Sequence, residues 1–250
     1  MRTIKLLVAY DGYAYHGFQK QKDFITIQSV LEEMLSRVCG EPIRIAGSGR
    51  TDAGVHALGQ VVSFTTTGRI PCANIVKAAS MLPKDIVIIS AEETETDFHA
   101  RFSARWKTYE YKIIVNSHHD PFMARYAWQI RQHPDVEAMD KAAELLLGTH
   151  DFSAFRSSGS VDSSPVKTIY KACCSEKGEK IAFRISGDGF LYHMVRNIVW
   201  ALVQIGLGQL KKEDVTVALA TGQCAFDSRP APAQGLYLVQ VGYGNYPDLT

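Results

Sequence analysis

The order of the apolar segments in the first 91 residues is the feature that most constrains the fold of this chain. Their spacing predicts a strand, a helix, two strands, a helix and a strand, over residues 3–10, 27–38, 43–46, 60–64, 72–81 and 86–91. Thr26 is placed to cap the first helix and Gly40 to end it, while Pro71 suits the first turn of the second helix. This order is typical of the split βαβ, ferredoxin-like unit, a sheet with helices on one face.

The second half of the chain repeats the theme with additions. The patterns predict a long strand, a helix, a hairpin, an apolar helix and a closing strand, over residues 107–115, 136–146, 167–174 with 180–186, 191–206 and 235–241. Residues 148–165 are rich in Gly, Ser and Asp and predict a long loop. The sequence therefore predicts an α+β protein with two domains, residues 1–105 and 106–250.

Composition limits the class of protein and its compartment. The chain has 250 residues, 46% of them hydrophobic, and no apolar run near the roughly 20 residues that cross a bilayer. The five cysteines have no CxxC spacing, which predicts free thiols in a reducing cytoplasm. Twenty-seven basic against twenty-six acidic residues give a net charge of +1, which argues mildly against nucleic acid unless a local basic surface exists.

One segment offers such a surface. Residues 97–112 place Arg101, Arg105, Lys107 and Lys112 among five aromatic residues, a mixture suited to phosphates and bases. A solvated strand with a half-buried aromatic face explains the same segment, and from this segment alone that alternative is favoured.

The loop over residues 46–60 is the most unusual stretch of the sequence. It carries Arg50, Thr51, Asp52 and His56 among four glycines. A phosphate-binding P-loop is excluded because no Gly-Lys-Ser/Thr ends the run. A metal site would need Asp52 and His56 one turn apart on a helix, and the intervening glycine argues against it, so no metal is predicted. From the residue types alone, Asp52 as a turn cap is favoured over a catalytic carboxylate.

Four motifs in order give this chain a resemblance to the tRNA pseudouridine synthase A family, over nearly its whole length. The matching stretches are Tyr10-Asp11-Gly12 with Tyr15–Gln19, Gly49–Ala57, Ala100–Arg105 with Tyr109–Tyr111, and Gly189–Val199 with Pro232 and Gly235-Leu236. The resemblance implies an enzyme that converts uridine to pseudouridine in the anticodon stem-loop of tRNA, at positions 38 to 40. It implies no cofactor.

The resemblance also assigns the catalytic side chains. Asp52 matches the nucleophile, and Arg196 matches a cation that keeps this carboxylate ionised. Tyr109 matches the tyrosine that stacks on the target base. Residues alone also allow Arg196 as a solvated helix side chain and Tyr109 as an ordinary strand aromatic. Whether the nucleophile attacks C1′ of the ribose or the base stays open.

Other residues are expected to bind the substrate. Arg50 resembles the family's arginine that helps to turn the uridine out of the stem, although a loop ion pair is the alternative for it. Arg101 and Arg105 are candidates for the tRNA backbone, as are Lys107 and Arg156, and His56 is expected to be structural. The resemblance further implies a homodimer and two ferredoxin-like, RRM-like units with antiparallel sheets joined side by side and an active cleft between them.

Two departures from the family pattern stand out. Phe18 replaces a common tryptophan, and Trp200 stands where a small residue is usual, so its indole must find room in the helix packing or in a subunit contact. A non-catalytic RNA-binding module on the same fold is the main alternative, and it would need no ionised Asp52.

Overall fold

The computed structural model describes residues 1–159, 164–224, 226 and 229–247. The strands are β1 (Arg2–Tyr10), β2 (Ala46–Gly47), β3 (His56–Thr66), β4 (Ile86–Thr94), β5 (Trp106–Val115), β6 (Trp128–Ile130), β7 (Gly148–Asp151), β8 (Val166–Lys177), β9 (Lys180–Gly187) and β10 (Leu236–Gly242). The helices are α1 (Ile27–Cys39), α2 (Cys72–Ala78), α3 (Val136–Ala143), α4 (Met194–Gly206) and α5 (Lys212–Thr221). The protein is of mixed α+β class.

The chain forms two compact units. The first contains Met1–Arg105 and Tyr237–Asn245, and the second contains Trp106–Leu236 with the residues from Tyr246 onward. Most of β10 therefore belongs to the first unit, which the division of the sequence at residue 105 did not include.

The first unit is built around β1. This strand pairs antiparallel with β3 on one side and with β4 on the other, and β2 pairs antiparallel with β3. On the side of β3 away from β1, β2 pairs at Val62 and Ser63, and β10 runs parallel to β3 at His56 and Ala57. Ile4, Leu6 and Val8 of β1 are fully buried, as are Leu31 and Leu35 of α1. Their alternating and helical spacings produce one apolar core.

The helix α1 begins and ends where the sequence predicts. The Thr26 side chain accepts from the amide of Ser29, and the Ser29 hydroxyl accepts from the amide of Thr26. This reciprocal capping satisfies donors that the first turn leaves without partners. Gly40 ends the helix in the left-handed region, with φ of 69°.

The predicted strand over residues 43–46 is wrong for most of its length. Ile43 and Ile45 are buried, but the Ile43 amide donates to Ser36 Oγ and the Ile45 amide to Glu32 Oε1. Side chains of α1 thus take the donors that a neighbouring strand would need. Only Ala46–Gly47 pairs, as β2.

The second unit has the sheet order β5-β9-β8-β7, with every neighbouring pair antiparallel and β6 parallel to β5. The predicted hairpin is β8 and β9, and Gly178 in its turn has φ of 61°. α3 packs against α4 and β8. α5 was not predicted from the sequence.

The predicted long loop over 148–165 is more ordered than expected. Gly148–Asp151 forms β7 beside β8, and Ser153–Phe155 forms a turn of 3-10 helix. The fully buried rings of Phe152 and Phe155 anchor this stretch, because apolar burial orders it despite the polar composition. Residues 160–163 of the predicted loop lie outside the described residues.

Two further findings concern membrane-spanning helices and the cysteines. In the described ranges no helix combines the length and the apolar character that a bilayer crossing requires. All five cysteines are described, and each is a free thiol.

Candidate active site

Asp52 lies in the loop of residues 48–55, between β2 and β3, which we call the Asp52 loop. The loop turns sharply after Asp52, because the amide of Val55 donates to the Asp52 carbonyl oxygen at 3.1 Å. Gly54 stands inside this turn with φ of 80°, a conformation that favours glycine. Asp52 itself is half-buried.

A buried hydrogen-bond network holds both flanks of the Asp52 loop. The hydroxyls of Tyr10 and Thr51 lie 2.8 Å apart, and Gln60 Nε2 donates to the Gly49 carbonyl at 2.9 Å and to the Tyr10 hydroxyl at 3.4 Å. Ser48 Oγ donates to Gln60 Oε1 at 2.6 Å. Burial raises the pKa of Tyr10 to about 12, so its phenol keeps its proton at neutral pH.

The opening motif packs backbone to backbone against the same loop. A Cβ on Gly12 would overlap the carbonyl oxygen of Val55, and one on Gly17 would lie 2.7 Å from that of Thr51. The amide of Phe18 donates to the Thr51 carbonyl at 3.0 Å. The two motifs quoted separately from the sequence are therefore parts of one structure, and glycine is needed where they touch.

His56 is buried where β1, β3 and β10 meet. Its Nδ1 lies 3.0 Å from Asp11 Oδ1 and 3.2 Å from the amide nitrogen of Gly12, and its ring stacks on Tyr237 with 4.7 Å between centroids. A neutral ring can accept from Gly12, whereas a protonated ring pairs with Asp11. The expectation that His56 is structural stays a prediction.

The predicted cations of the first unit point to solvent. Arg50 is exposed and makes no side-chain hydrogen bond or ion pair with any residue that the structure describes. The Arg101 guanidinium lies 5.6 Å from the centroid of the Phe102 ring, and Phe102 is 76% exposed. Arg105 is anchored by its backbone amide, which donates to the Gly242 carbonyl at 2.9 Å, while its side chain is exposed.

The second unit contains Tyr109 and Arg196. Tyr109 lies on β5, is 7% exposed, and meets the Phe190 ring edge to face with 5.1 Å between centroids. Arg196 is in the first turn of α4, where its Nε donates to the Ala231 carbonyl at 2.7 Å and its own carbonyl accepts from the Ala231 amide. Lys107 is also on β5, and Arg156 is exposed.

The closing residues of the family pattern, Pro232 and Gly235, contact Tyr111 of β5 and follow directly after the partner of Arg196, Ala231. The Tyr111 hydroxyl donates to the Pro232 carbonyl at 2.7 Å, and Gly235 lies against the Tyr111 ring. Burial raises the pKa of Tyr111, and the nearby Arg196 charge opposes that effect. Segment 231–235 thus links β5 to α4.

The residue at the start of α4 has unusual geometry. His193 has φ of 60°, stacks on Tyr192 with 3.8 Å between centroids, and its Nδ1 lies 3.0 Å from Ser157 Oγ. One turn later Asn197 Nδ2 donates to the Phe155 carbonyl at 2.8 Å. Strained backbone of this kind is concentrated at functional sites.

The sequence reasoning did not single out Tyr10, Asp11 and Gln60 as part of the site. A signal was present for Gln60, because it is the one amide side chain in residues 60–64, where three of the other four side chains are apolar. In the described part of the chain no cluster of three or more His, Cys, Asp or Glu side chains could hold a metal ion.

Comparison with known proteins gives the class of this chain. The family model described as tRNA pseudouridine synthase matches residues 6–103 and 142–244. Two relatives are named tRNA pseudouridine synthase A. The one from Thermoanaerobacter sp. (strain X514) is 43% identical to this chain over 244 residues, and the one from Acetivibrio thermocellus is 43% identical over 245 residues. Each alignment covers 97% of this chain and 100% of the relative.

A third relative of the same name, from Exiguobacterium sp., is 44% identical over 97% of this chain and 98% of its own length. A solved structure titled "Crystal Structure of a Cbf5-Nop10-Gar1 Complex" is 10% identical with a TM-score of 0.33, covering 80% of this chain and 54% of that one. That score is too low to bear on the fold.

The chain belongs to the tRNA pseudouridine synthase family. It is an isomerase that converts uridine to pseudouridine in tRNA. The resemblance to this family is therefore confirmed.

Proposed function

We propose that Asp52 is the nucleophile of this isomerase and that its substrate is a uridine at positions 38 to 40 of the anticodon stem-loop, turned out of the stem. The observation that carries the assignment is the Asp52 loop itself. A buried network holds both of its flanks, and Arg50, exposed and without a partner among the described residues, stands two residues before the carboxylate. A preorganised loop of this kind places a reactive group with little freedom to lose.

The chemistry needs no net redox change. The N1–C1′ bond of uridine breaks, the uracil turns, and C5 forms the new bond to C1′. The proton on C5 is lost and N1 gains one, so atoms balance without a cofactor. An ionised Asp52 serves either as nucleophile at C1′ or by adding to the base.

The remaining roles complete the proposal. Arg50 supports the extruded nucleotide, and Arg196 provides the positive charge that favours the ionised carboxylate. Tyr109 stacks on the target base, where its edge-to-face contact with Phe190 supports a fixed ring plane. Arg101 and Arg105 bind the tRNA backbone through exposed side chains.

The architecture and setting belong to the same proposal. The antiparallel order β4-β1-β3-β2 with two helices supports a ferredoxin-like first unit, and the order β5-β9-β8 supports the same for the second. Residues 1–105 supply the Asp52 loop and residues 106–250 the second domain, except that Tyr237–Asn245 belong to the first compact unit. The enzyme works as a cytoplasmic homodimer without cofactor or metal.

Tritium release tests the nucleophile. A tRNA transcript carrying uridine labelled with tritium at C5 loses the label when the new bond forms at C5. We expect release with the wild type and none with Asp52→Asn, while the variant keeps its tRNA affinity. Release by Asp52→Asn at the wild-type rate would remove Asp52 from this role.

The position is tested with three transcripts that each keep a single uridine among positions 38, 39 and 40. Release from at least one of them, and none from a transcript lacking all three uridines, is the expected result. Equal release from the transcript without them would place the substrate uridine elsewhere in tRNA.

A further inference from the structure

The chemistry proposed above leaves the second part of the opening motif without a task. We call residues His16–Ile25 the arm. It adjoins the Asp52 loop at Gly17 and Phe18, where the Phe18 amide donates to the Thr51 carbonyl at 3.0 Å and a Cβ on Gly17 would crowd the same oxygen. The base of the arm therefore packs directly against the backbone that carries Asp52.

The arm is closed by its own hydrogen bonds. The His16 amide donates to the Ile25 carbonyl at 3.0 Å, Gln21 Nε2 donates to the His16 carbonyl at 2.7 Å, and Gln21 and Phe24 form an isolated β-bridge. Its turn is thus held by main-chain and amide hydrogen bonds, and the exposed Phe24 and Ile25 side chains are at its end.

The apolar side chains at the end of the arm face water, whereas Phe18 at its base is buried. Phe24 is 49% exposed and Ile25 is 65% exposed, and the exposed His16 ring lies 4.4 Å from the Phe24 ring at an interplanar angle of 37°. Exposed rings on an ordered turn form a platform for a planar ligand. In a protein that acts on RNA, an unpaired base is the planar ligand that such rings bind.

One cation of the arm, Lys22, is available to a phosphate, and the exposed Asp23 stands next to it. Lys22 is exposed and has no hydrogen bond or ion pair within the part of the chain that the structure describes. Lys20 is committed elsewhere, because its Nζ lies 3.2 Å from Glu32 Oε2. Lys22 on the arm and Arg50 on the Asp52 loop are thus two cations available to phosphates.

We propose that the arm is an RNA-binding element of this enzyme. An unpaired base of the tRNA stacks on Phe24 and His16, and Lys22 binds a backbone phosphate. The base is one close to the target uridine, a statement that rests on the assignment of Asp52 as nucleophile. The arm thereby gives the first unit a contact that reads single-stranded nucleotides beside the reaction site.

Equilibrium binding to an unmodified tRNA transcript tests the arm. We expect Phe24→Ala to weaken affinity about tenfold or more, the loss typical of one base–aromatic stack. Its kcat/KM should fall by the same factor as its affinity. Phe24→Trp should restore affinity, because it restores a stacking surface. Lys22→Ala should lower the slope of log Kd against log salt concentration by about one.

Two matched controls separate the arm from any exposed ring or lysine. Phe122 is 84% exposed in the second unit, and Lys77 is exposed on α2 with no partner among the described residues. Phe122→Ala and Lys77→Ala should bind tRNA as the wild type does. Arm variants that bind like these controls would overturn the proposal.

Two further measurements complete the test: sedimentation of Phe24→Ala, and isomerisation by the arm variants compared with Asp52→Asn. Sedimentation of Phe24→Ala is compared with the wild type, and a loss of self-association with unchanged RNA affinity would assign the arm to a protein contact and overturn the proposal. Failure of the arm is distinct from failure of the nucleophile. Asp52→Asn is expected to bind tRNA without isomerising it, whereas the arm variants isomerise what they bind.

Discussion

At the scale of single residues, the Asp52 loop depends on polar side chains that would be costly if left without partners. Tyr10 and Thr51 are 4% and 6% exposed, and Gln60 is fully buried. Each makes a hydrogen bond within the network, so none pays the penalty of a buried unsatisfied group. The network is the means by which a loop with two glycines acquires one conformation.

Removing the Tyr10 hydroxyl should lower both the unfolding free energy and kcat, and a control variant separates the two effects. Tyr10→Phe keeps the ring but leaves the buried Thr51 hydroxyl without its partner, which should cost about 1–2 kcal/mol of unfolding free energy. It should also lower kcat about tenfold with little change in KM, because small displacements of a reacting group cost rate. Urea unfolding and single-turnover kinetics measure the two effects.

Tyr243→Phe is the matched control. It also removes one hydroxyl of the first unit, which donates to the Ala100 carbonyl at 2.9 Å. We expect a similar loss of stability and a wild-type kcat. An equal fall in kcat for both variants would show that the effect of Tyr10 comes from general destabilisation.

At the scale of elements, local capping and long-range side-chain contacts act together around α1. Thr26 and Gly40 define the ends of the helix from its own sequence. The next residue, Glu41, reaches the far end of β3, where it accepts from the Thr66 hydroxyl and from the Thr67 amide and hydroxyl. These hydrogen bonds lower the pKa of Glu41 to about 2, and the bond from the Thr66 hydroxyl has the largest effect.

Lowering the pH should weaken the hydrogen bonds that Glu41, just after α1, accepts from Thr66 and Thr67 at the end of β3. Because the folded pKa of Glu41 lies below its usual 4.5, its stabilising effect is present above pH 4.5 and is lost as the pH falls toward 2. Glu41→Gln should therefore melt below the wild type at pH 7, and the difference should shrink toward zero near pH 2. Thermal melts over this range give the measurement.

Glu33→Gln provides the comparison for that experiment. Glu33 forms an exposed pair with Arg37 at 2.7 Å on α1, a type of pair that contributes little. Its melting temperature should follow the wild type at every pH. A pH-independent difference for Glu41→Gln would contradict the link.

At the scale of the whole molecule, assembly is the main prediction. The chain has a mass of 27.7 kDa, and the proposed homodimer should sediment with twice that mass. A dimer would present a modest basic surface twice, which reconciles a net charge of +1 with tRNA binding. Sedimentation equilibrium decides it, and a fully active monomer would contradict the proposal.

Trp200 shows how a departure from the family pattern is accommodated within one unit. Its indole stacks on the Phe226 ring with 6.0 Å between centroids and 20° between planes. The side chain stays half-exposed on α4, so it does not have to fit a closed core.

The sequence by itself determined the features that depend on near neighbours. The alternation of β1, the capped helix α1 and the hairpin of β8 and β9 follow from periodicity, capping residues and a turn glycine. The motif around Asp52 likewise pointed to the family, since its residues are consecutive.

Only the tertiary structure decided which distant segments meet. Tyr237 pairs in register with His56, about 180 positions earlier in the chain, and the buried donors of Ile43 and Ile45 bind side chains of α1 instead of a strand. Tyr10 and Gln60 likewise join the Asp52 loop only through pairing of β1 with β3. Local sequence patterns do not predict such pairings, because the buried groups of distant segments find their hydrogen-bond partners only in the folded chain.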